Sequence, residues 1–254
     1  MIKPLIRRTL AAVGLRVIRS NHPAARYVEL VPGSPLDFLL LWLFPDPRGQ
    51  TFLQIGAHDG VRNDPIYRWI ERYDWRGTLV EPMPDHADAL RRLHAGRAGI
   101  RVVEAAITAE HTTESLPLYR VDPAMSGLPA WAQGLATLDP ERMRQAARDL
   151  GIPPDAFVRV PVATIEMAAL LAGLAPSPPE IVAIDTEGYD IRLARAILQT
   201  GCRPTLLHYE HACCSNDERF AFLRELAEAG YETVSFGADT TAFRADRRLA
   251  AADG

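Results

Sequence analysis

Phe52-Leu53-Gln54-Ile55-Gly56-Ala57-His58-Asp59-Gly60 is an apolar run of one strand's length that ends in a glycine-bounded loop with a carboxylate inside. Buried parallel strands read as continuous apolar runs, and ligands gather where such strands end. Glycine at positions 56 and 60 admits positive φ and lets a ligand approach the backbone closely. Taken alone, the stretch is equally well a strand and a tight turn. What flanks it decides.

Downstream the chain alternates strand and helix. Asn63-Asp64-Pro65 is a helix start, a capping side chain ahead of proline at the first helical position. Ile66, Trp69, Ile70 and Tyr73 then mark one helical face. Thr78-Leu79-Val80 is a strand ending in Glu81-Pro82, and a helix carrying Leu90 and Leu93 follows it. Residues 100–103 form a third strand and lead into Glu104-Ala105-Ala106. The rhythm breaks between about 109 and 180, an expected insertion lying over the sheet. Within it 116–121 and 158–162 read as strands, around a helix that Asp139-Pro140 opens and Gly151 closes.

The alternation then resumes. Residues 181–184 are a strand ending in Asp185-Thr186-Glu187-Gly188, and a helix with Ile191, Ala194 and Leu198 on one face stops at Gly201. Residues 205–209 end near Glu210-His211, and Ser215 with Glu218 forms a capping box for a helix stopping at Gly230. Residues 231–236 and 240–243 flank a Gly-Ala-Asp turn, a hairpin. Strands separated by helices imply an α/β fold, a mainly parallel sheet with helices on both faces. The hairpin adds one antiparallel strand at an edge.

Upstream, residues 1–48 read as an N-terminal helical extension to a domain spanning 49–254. Lys3, Arg7, Arg8, Arg16, Arg19 and Arg26 precede the first acid, Glu29, while Ile2, Leu5, Ile6, Leu10, Val13 and Val17 recur at helical spacing. A signal peptide needs a longer apolar centre and a cleavage site. The expectation is a helix packed on the domain; its alternative is peripheral membrane contact through residues 1–26. The longest apolar run, 36–44, is about half a membrane span and is interrupted by Asp37, so it reads as a buried helix or strand. A soluble, cytoplasmic protein is expected. The net charge of −4 gives no reason to expect nucleic acid as a partner. Three cysteines, Cys202, Cys213 and Cys214, form neither an even framework nor a CxxC pair and read as reduced thiols. Cys213-Cys214 reads as packing, and Trp131 as core rather than an acceptor platform.

Asp59, Glu81, Glu104, Asp185, Glu187 and Glu210 sit near strand ends, which line one crevice in such sheets. Some are helix caps. So many acids together suit a cationic or hydroxyl-rich ligand. A dinucleotide is disfavoured, because the loop is not GxGxxG and Asp59 would repel a pyrophosphate. S-adenosylmethionine, with a sulfonium and no phosphate, fits better. Glu81, about 25 residues beyond Gly56, is then placed for the ribose hydroxyls, as an acid is in dinucleotide folds.

The segments Gln54-Ile55-Gly56-Ala57-His58-Asp59-Gly60, Leu79-Val80-Glu81-Pro82, Ile184-Asp185-Thr186-Glu187-Gly188-Tyr189-Asp190, Tyr209-Glu210-His211 and Asp239-Thr240 follow an order that resembles the FkbM family of methyltransferases. The resemblance spans roughly residues 50 to 245. It implies a class I methyltransferase fold (Rossmann-like, seven-stranded), use of S-adenosylmethionine, and O-methylation of sugars or natural products. It further implies that Gly56, Asp59 and Gly60 hold the methionine part, Glu81 the ribose, and Ala105-Ala106 the adenine, with Asp185 beside the reacting methyl. Gln54 stands where class I enzymes often carry an acid, and can still hydrogen-bond the amino-acid group. His58 replaces the asparagine common in the family.

Methyl transfer to oxygen is an in-line displacement, so alignment dominates, and a hydroxyl acceptor also needs a base. The candidates are Asp185, Glu187, His208 and His211. Along an extended strand His208 and Glu210 share one face and His211 takes the other, which argues against paired histidine metal ligands. No metal site is expected; a divalent cation such as Mg²⁺ on Asp185, Glu187 and Glu210 is the minor alternative. The expected partner is a small-molecule or glycan hydroxyl acceptor. A non-catalytic cofactor-binding or membrane-associated assembly module of the same fold is the rival function.

Overall fold

A computed structural model of the chain describes residues 34–110, 114–128, 135–174 and 178–246. The basic helix expected near the N-terminus, Trp131 and the last residues lie outside the described residues. The chain divides into two compact units, residues 1–47 and 48–254. In the first, the apolar run is helix α1 (Pro35–Leu43). Ser34 caps it: its hydroxyl accepts from the Asp37 N–H, and Asp37 accepts from the Ser34 N–H at 3.1 Å.

The second unit is built on a seven-stranded sheet. Its elements are β1 (Thr51–Ile55), α2 (Tyr67–Tyr73), β2 (Arg76–Val80), α3 (Pro84–Leu93), β3 (Ile100–Val103), β8 (Ile181–Ile184), α6 (Asp190–Gln199), β9 (Leu206–Glu210), α7 (Asn216–Glu228), β10 (Glu232–Phe236) and β11 (Asp239–Phe243). The strand order is β10-β11-β9-β8-β1-β2-β3. β1 lies inside the sheet beside the central strand β8, parallel to both β2 and β8, with Ile55 opposite Val80 on one side and Ile184 on the other. The chain runs outward from β1 to β3 on one side, then crosses back to β8 and β9. The order therefore reverses between β1 and β8, the place where open α/β sheets bind ligands.

Side chains of β1 alternate faces. Leu53 and Ile55 join Val182, Ile184, Ile191 and Ile197 in a buried cluster under α6. Phe52 meets Trp75, whose ring stacks on Trp69 of α2 at 5.9 Å. The helix α2 starts two residues later than its proline suggests, with Ile66 as the N-cap, and Asp64 Oδ1 accepts from the N–H groups of Ile66 and Tyr67 at its start. Ser215 caps α7 through the Glu218 N–H.

Two features go beyond the expected layout. The hairpin folds so that the antiparallel strand, β11, pairs with β9, and β10 becomes the outer strand. Burial explains the order, because β11 is almost wholly buried and every residue of β10 is exposed. The insertion carries a sheet of its own, in the order β4-β7-β5-β6. It comprises β4 (Ala106–Thr108), β5 (Ser115–Val121), β6 (Ala136–Thr137), α4 (Pro140–Leu150), β7 (Phe157–Glu166) and α5 (Met167–Ala172). Asp139 caps α4, and Gly151 ends it in a left-handed turn. Ala106, Leu118 and Val162 of this sheet pack on Met83, just past β2.

Candidate active site

The carboxyl ends of β1, β2 and β8 open into a cavity of 530 Å³ that the insertion helps to wall, a size usual for small-molecule sites. Gly56 sits at the centre with φ +80°, and its N–H donates to the Val80 carbonyl. A Cβ at position 56 would overlap the backbone oxygen of Asp185. Glycine is therefore required where β1 and β8 leave the sheet together.

Gln54, Gly56, Glu81, Ala105 and Ala106 line the cavity, as do Asp185, Glu187 and His208. Glu81 is 5% exposed, and its two oxygens accept from the N–H groups of His58 (2.8 Å) and Met83 (2.9 Å). A carboxylate has about four acceptor sites, so capacity is left for ligand hydroxyls. His58 adopts a left-handed conformation, φ 49°, that turns its N–H toward Glu81. Its ring packs 3.9 Å from that of His86, and burial followed by the nearby His86 lowers its pKa.

Three expected residues are placed differently. Asp59 does not line the cavity; Oδ1 accepts from the N–H groups of Val61 and Arg62, and Oδ2 holds the Arg62 guanidinium at 3.0 Å. Burial raises its carboxyl, but those backbone N–H groups outweigh it and leave the pKa low. Asp59 thus shapes a loop that presents Arg62 to the cavity. Gly60 is also off the wall, packed so that a Cβ would meet Leu90 of α3. His211 is buried away from the cavity, with Nδ1 3.0 Å from the Thr240 hydroxyl. His208, on the opposite strand face, meets the Thr241 hydroxyl of β11 at 2.9 Å.

Sequence reasoning missed two acids in their site roles. Asp64, read only as a helix cap, lines the cavity and accepts from Gln54 Nε2 at 3.0 Å. Asp190 organises the loop after β8: Oδ2 accepts from the Thr186 hydroxyl (2.9 Å) and the Gly188 N–H (3.3 Å). A carboxylate within the first turn after a glycine-containing loop is the signal that was available for Asp190.

Asp185 is exposed to the cavity, yet no described residue donates a hydrogen bond to its carboxylate. Protein crowding desolvates it, Asp190, Glu210, Glu187 and Asp239 add negative charge, and its pKa is pushed up to about 8. Burial and the same neighbours raise Glu210 to about 7. Glu187 is committed to the insertion, since Arg142 of α4 donates to it at 2.9 Å and Thr137 donates to its backbone oxygen. Among the described residues Glu187, Glu210 and Cys213 are close enough to share an ion. Asp185 is not in that group, Arg142 already neutralises Glu187, and burial pushes the Cys213 thiol up to about 12. This donor set does not suit Mg²⁺, which wants oxygen ligands.

The rest of the cavity suits S-adenosylmethionine: small residues at Gly56, Ala105 and Ala106, a held carboxylate at Glu81, and a buried Gln54 Oε1 with no partner among the described residues. Residues 54–233 match the family model described as "Methyltransferase FkbM domain". The chain matches no curated protein. Among solved structures it is similar to an O-methyltransferase from Bacillus cereus in complex with SAH, at 14% identity and TM-score 0.41, covering 94% of this chain and 97% of that one. It is also similar to precorrin-6y C5,15-methyltransferase from Geobacter metallireducens, at 12% identity and TM-score 0.41, covering 85% and 91%. Likenesses this distant say nothing about the acceptor.

Proposed function

The chain belongs to the FkbM methyltransferase family and is an S-adenosylmethionine-dependent methyltransferase, and from that premise we propose that it methylates a hydroxyl of a glycan or related metabolite. Asp185 carries the reading. It combines a carboxylate free of hydrogen bonds from described residues, a position at the sheet's reversal point, and a pKa raised to about 8.

When bound, the cofactor supplies a methyl group on a sulfonium, which a nucleophilic oxygen displaces. This chain's residues align and deprotonate. Asp185 Oδ accepts the acceptor's hydroxyl proton, and a base near the working pH is the efficient kind. Burial, with negative charge from Asp190, Glu210, Glu187 and Asp239, favours a protonated Asp185 without ligand, and a cationic ligand opposes this and frees the carboxylate to take the hydroxyl proton. Glu81 is the acceptor for ribose hydroxyls, held by the N–H groups of His58 and Met83. The insertion, through Ile107, Leu118, Ala136 and Leu138, supplies an apolar part of the cavity wall.

The test is transfer of labelled methyl from S-adenosylmethionine to a panel of hydroxyl-bearing glycans and a fractionated extract. Asp185→Asn should lower kcat about 10²- to 10⁴-fold while S-adenosylhomocysteine binding persists. Full activity in that variant removes Asp185 as the base, and label on nitrogen or carbon alone overturns the hydroxyl acceptor.

A further inference from the structure

The wall of the cavity nearest α2 carries a polar group that the fold alone does not satisfy. Gln54 is 4% exposed, and its Oε1 has no hydrogen-bond partner among the described residues. A buried acceptor without a donor is destabilising, so this oxygen is placed for a donor that arrives with a ligand. Its Nε2 donates to Asp64 Oδ2 at 3.0 Å. Asp64 lines the same wall, with Oδ1 occupied by the Ile66 and Tyr67 N–H groups at the start of α2. Arg62 lines it too, its Nε held on Asp59. The wall thus offers two acceptor side chains, one of them an acid, and a guanidinium.

We propose that Gln54 and Asp64 form the receptor for the cationic amino group of the cofactor's amino-acid part, with Asp64 supplying the negative charge that Gln54 lacks. This rests on the S-adenosylmethionine reading of the cavity. Gln54 Oε1 accepts one ammonium N–H, and its Nε2 keeps the Asp64 carboxylate turned into the cavity. The charge comes from a helix cap ten positions along rather than from the strand end itself. Burial lifts Asp64 to about 6, with the Gln54 and α2 hydrogen bonds opposing it, and an adjacent ammonium favours the ionised form. Arg62 completes the match, since an α-amino acid group carries both signs.

The experiment compares binding of S-adenosylhomocysteine, which has the amino-acid group, with 5′-methylthioadenosine, which lacks it, by calorimetry on the full chain. Asp64→Asn keeps an oxygen for capping α2 and removes the charge. It should weaken S-adenosylhomocysteine about 10- to 100-fold, as loss of a charge-assisted hydrogen bond does, and leave methylthioadenosine nearly unchanged. Gln54→Ala, which leaves the cap intact, should weaken S-adenosylhomocysteine about 2- to 10-fold with the same selectivity. Gln54→Glu combined with Asp64→Asn moves the charge across the hydrogen bond and should restore binding. Equal losses for both ligands, or no loss, overturn the proposal while the wild-type affinity stands. A wild-type protein that is folded and binds neither ligand overturns the cofactor reading instead.

Discussion

A methyl group on residue 56 would overlap the carbonyl oxygen of Asp185, in a backbone conformation that L-residues seldom adopt. Gly56→Ala should therefore cost on the order of 3 kcal/mol or more, read as a lowered midpoint in thermal unfolding. Gly60→Ala should cost only about 1–2 kcal/mol, because the obstruction there is the far end of the Leu90 side chain, which can move. Equal losses would contradict this account of position 56. Both glycines stood out in the sequence, but the reason for Gly56 did not. Its neighbour is backbone from the far half of the chain, which no local pattern reports. His58 is explained in the same way: it needs a left-handed backbone, which asparagine adopts more readily than most residues. Asp59 and His211 were legible as polar groups near strand ends, but their direction was not, because loop turns and the hairpin partner set it.

At the scale of elements, α4 is tied to the loop after β8 by Arg142 on Glu187 and by Thr137, just before it, on the Glu187 carbonyl. Arg142→Ala should release this clasp at about 1–2 kcal/mol of local stability, discounted for partial exposure. Hydrogen exchange should then speed up in residues 185–190 and 135–150 while β1 and β9 stay protected. Unchanged exchange in both segments would show the clasp to be without consequence. The cap and stop of α4 were legible because Asp-Pro and glycine act locally. The pairing of β4 with β7 was not, since Ala106 meets Thr164 across a long separation and three residues carry little period. The hairpin was readable as a hairpin, and only burial decided which of its strands lies inside.

For the whole molecule, the acids around the cavity make stability depend on pH with a definite sign. Asp185 and Glu210 have folded pKa values of about 8 and about 7, above their ordinary carboxylate values. The native state therefore holds protons that the unfolded chain has released, and the contribution fades as pH rises through the folded values. The melting temperature should fall from about pH 7 to about pH 9, and Asp185→Asn should flatten much of that slope. His58, His94 and His211 have lowered pKa values and act in the opposite direction, but below this window. A melting temperature that climbs across it would show that the acids are not crowded as described. The parallel sheet was legible, because β1, β2, β3, β8 and β9 carry apolar residues and each is followed by, or ends on, a glycine or an acid, whereas the reversal of strand order was not, since no local pattern reports which strands pair. The acid crowding was legible as a list of residues but not as an energy, which depends on distances.

The contact of Gly56 with Asp185 has a thermodynamic consequence. Backbone meets backbone there with no side chain between to absorb a displacement, so a shift of the loop after β1 presses directly on the loop that carries Asp185. With the cofactor at Gly56 and the acceptor at Asp185, as proposed above, occupancy of the two subsites is linked, and linkage is reciprocal. By whatever factor the cofactor tightens the acceptor's dissociation constant, the acceptor tightens that of the cofactor equally.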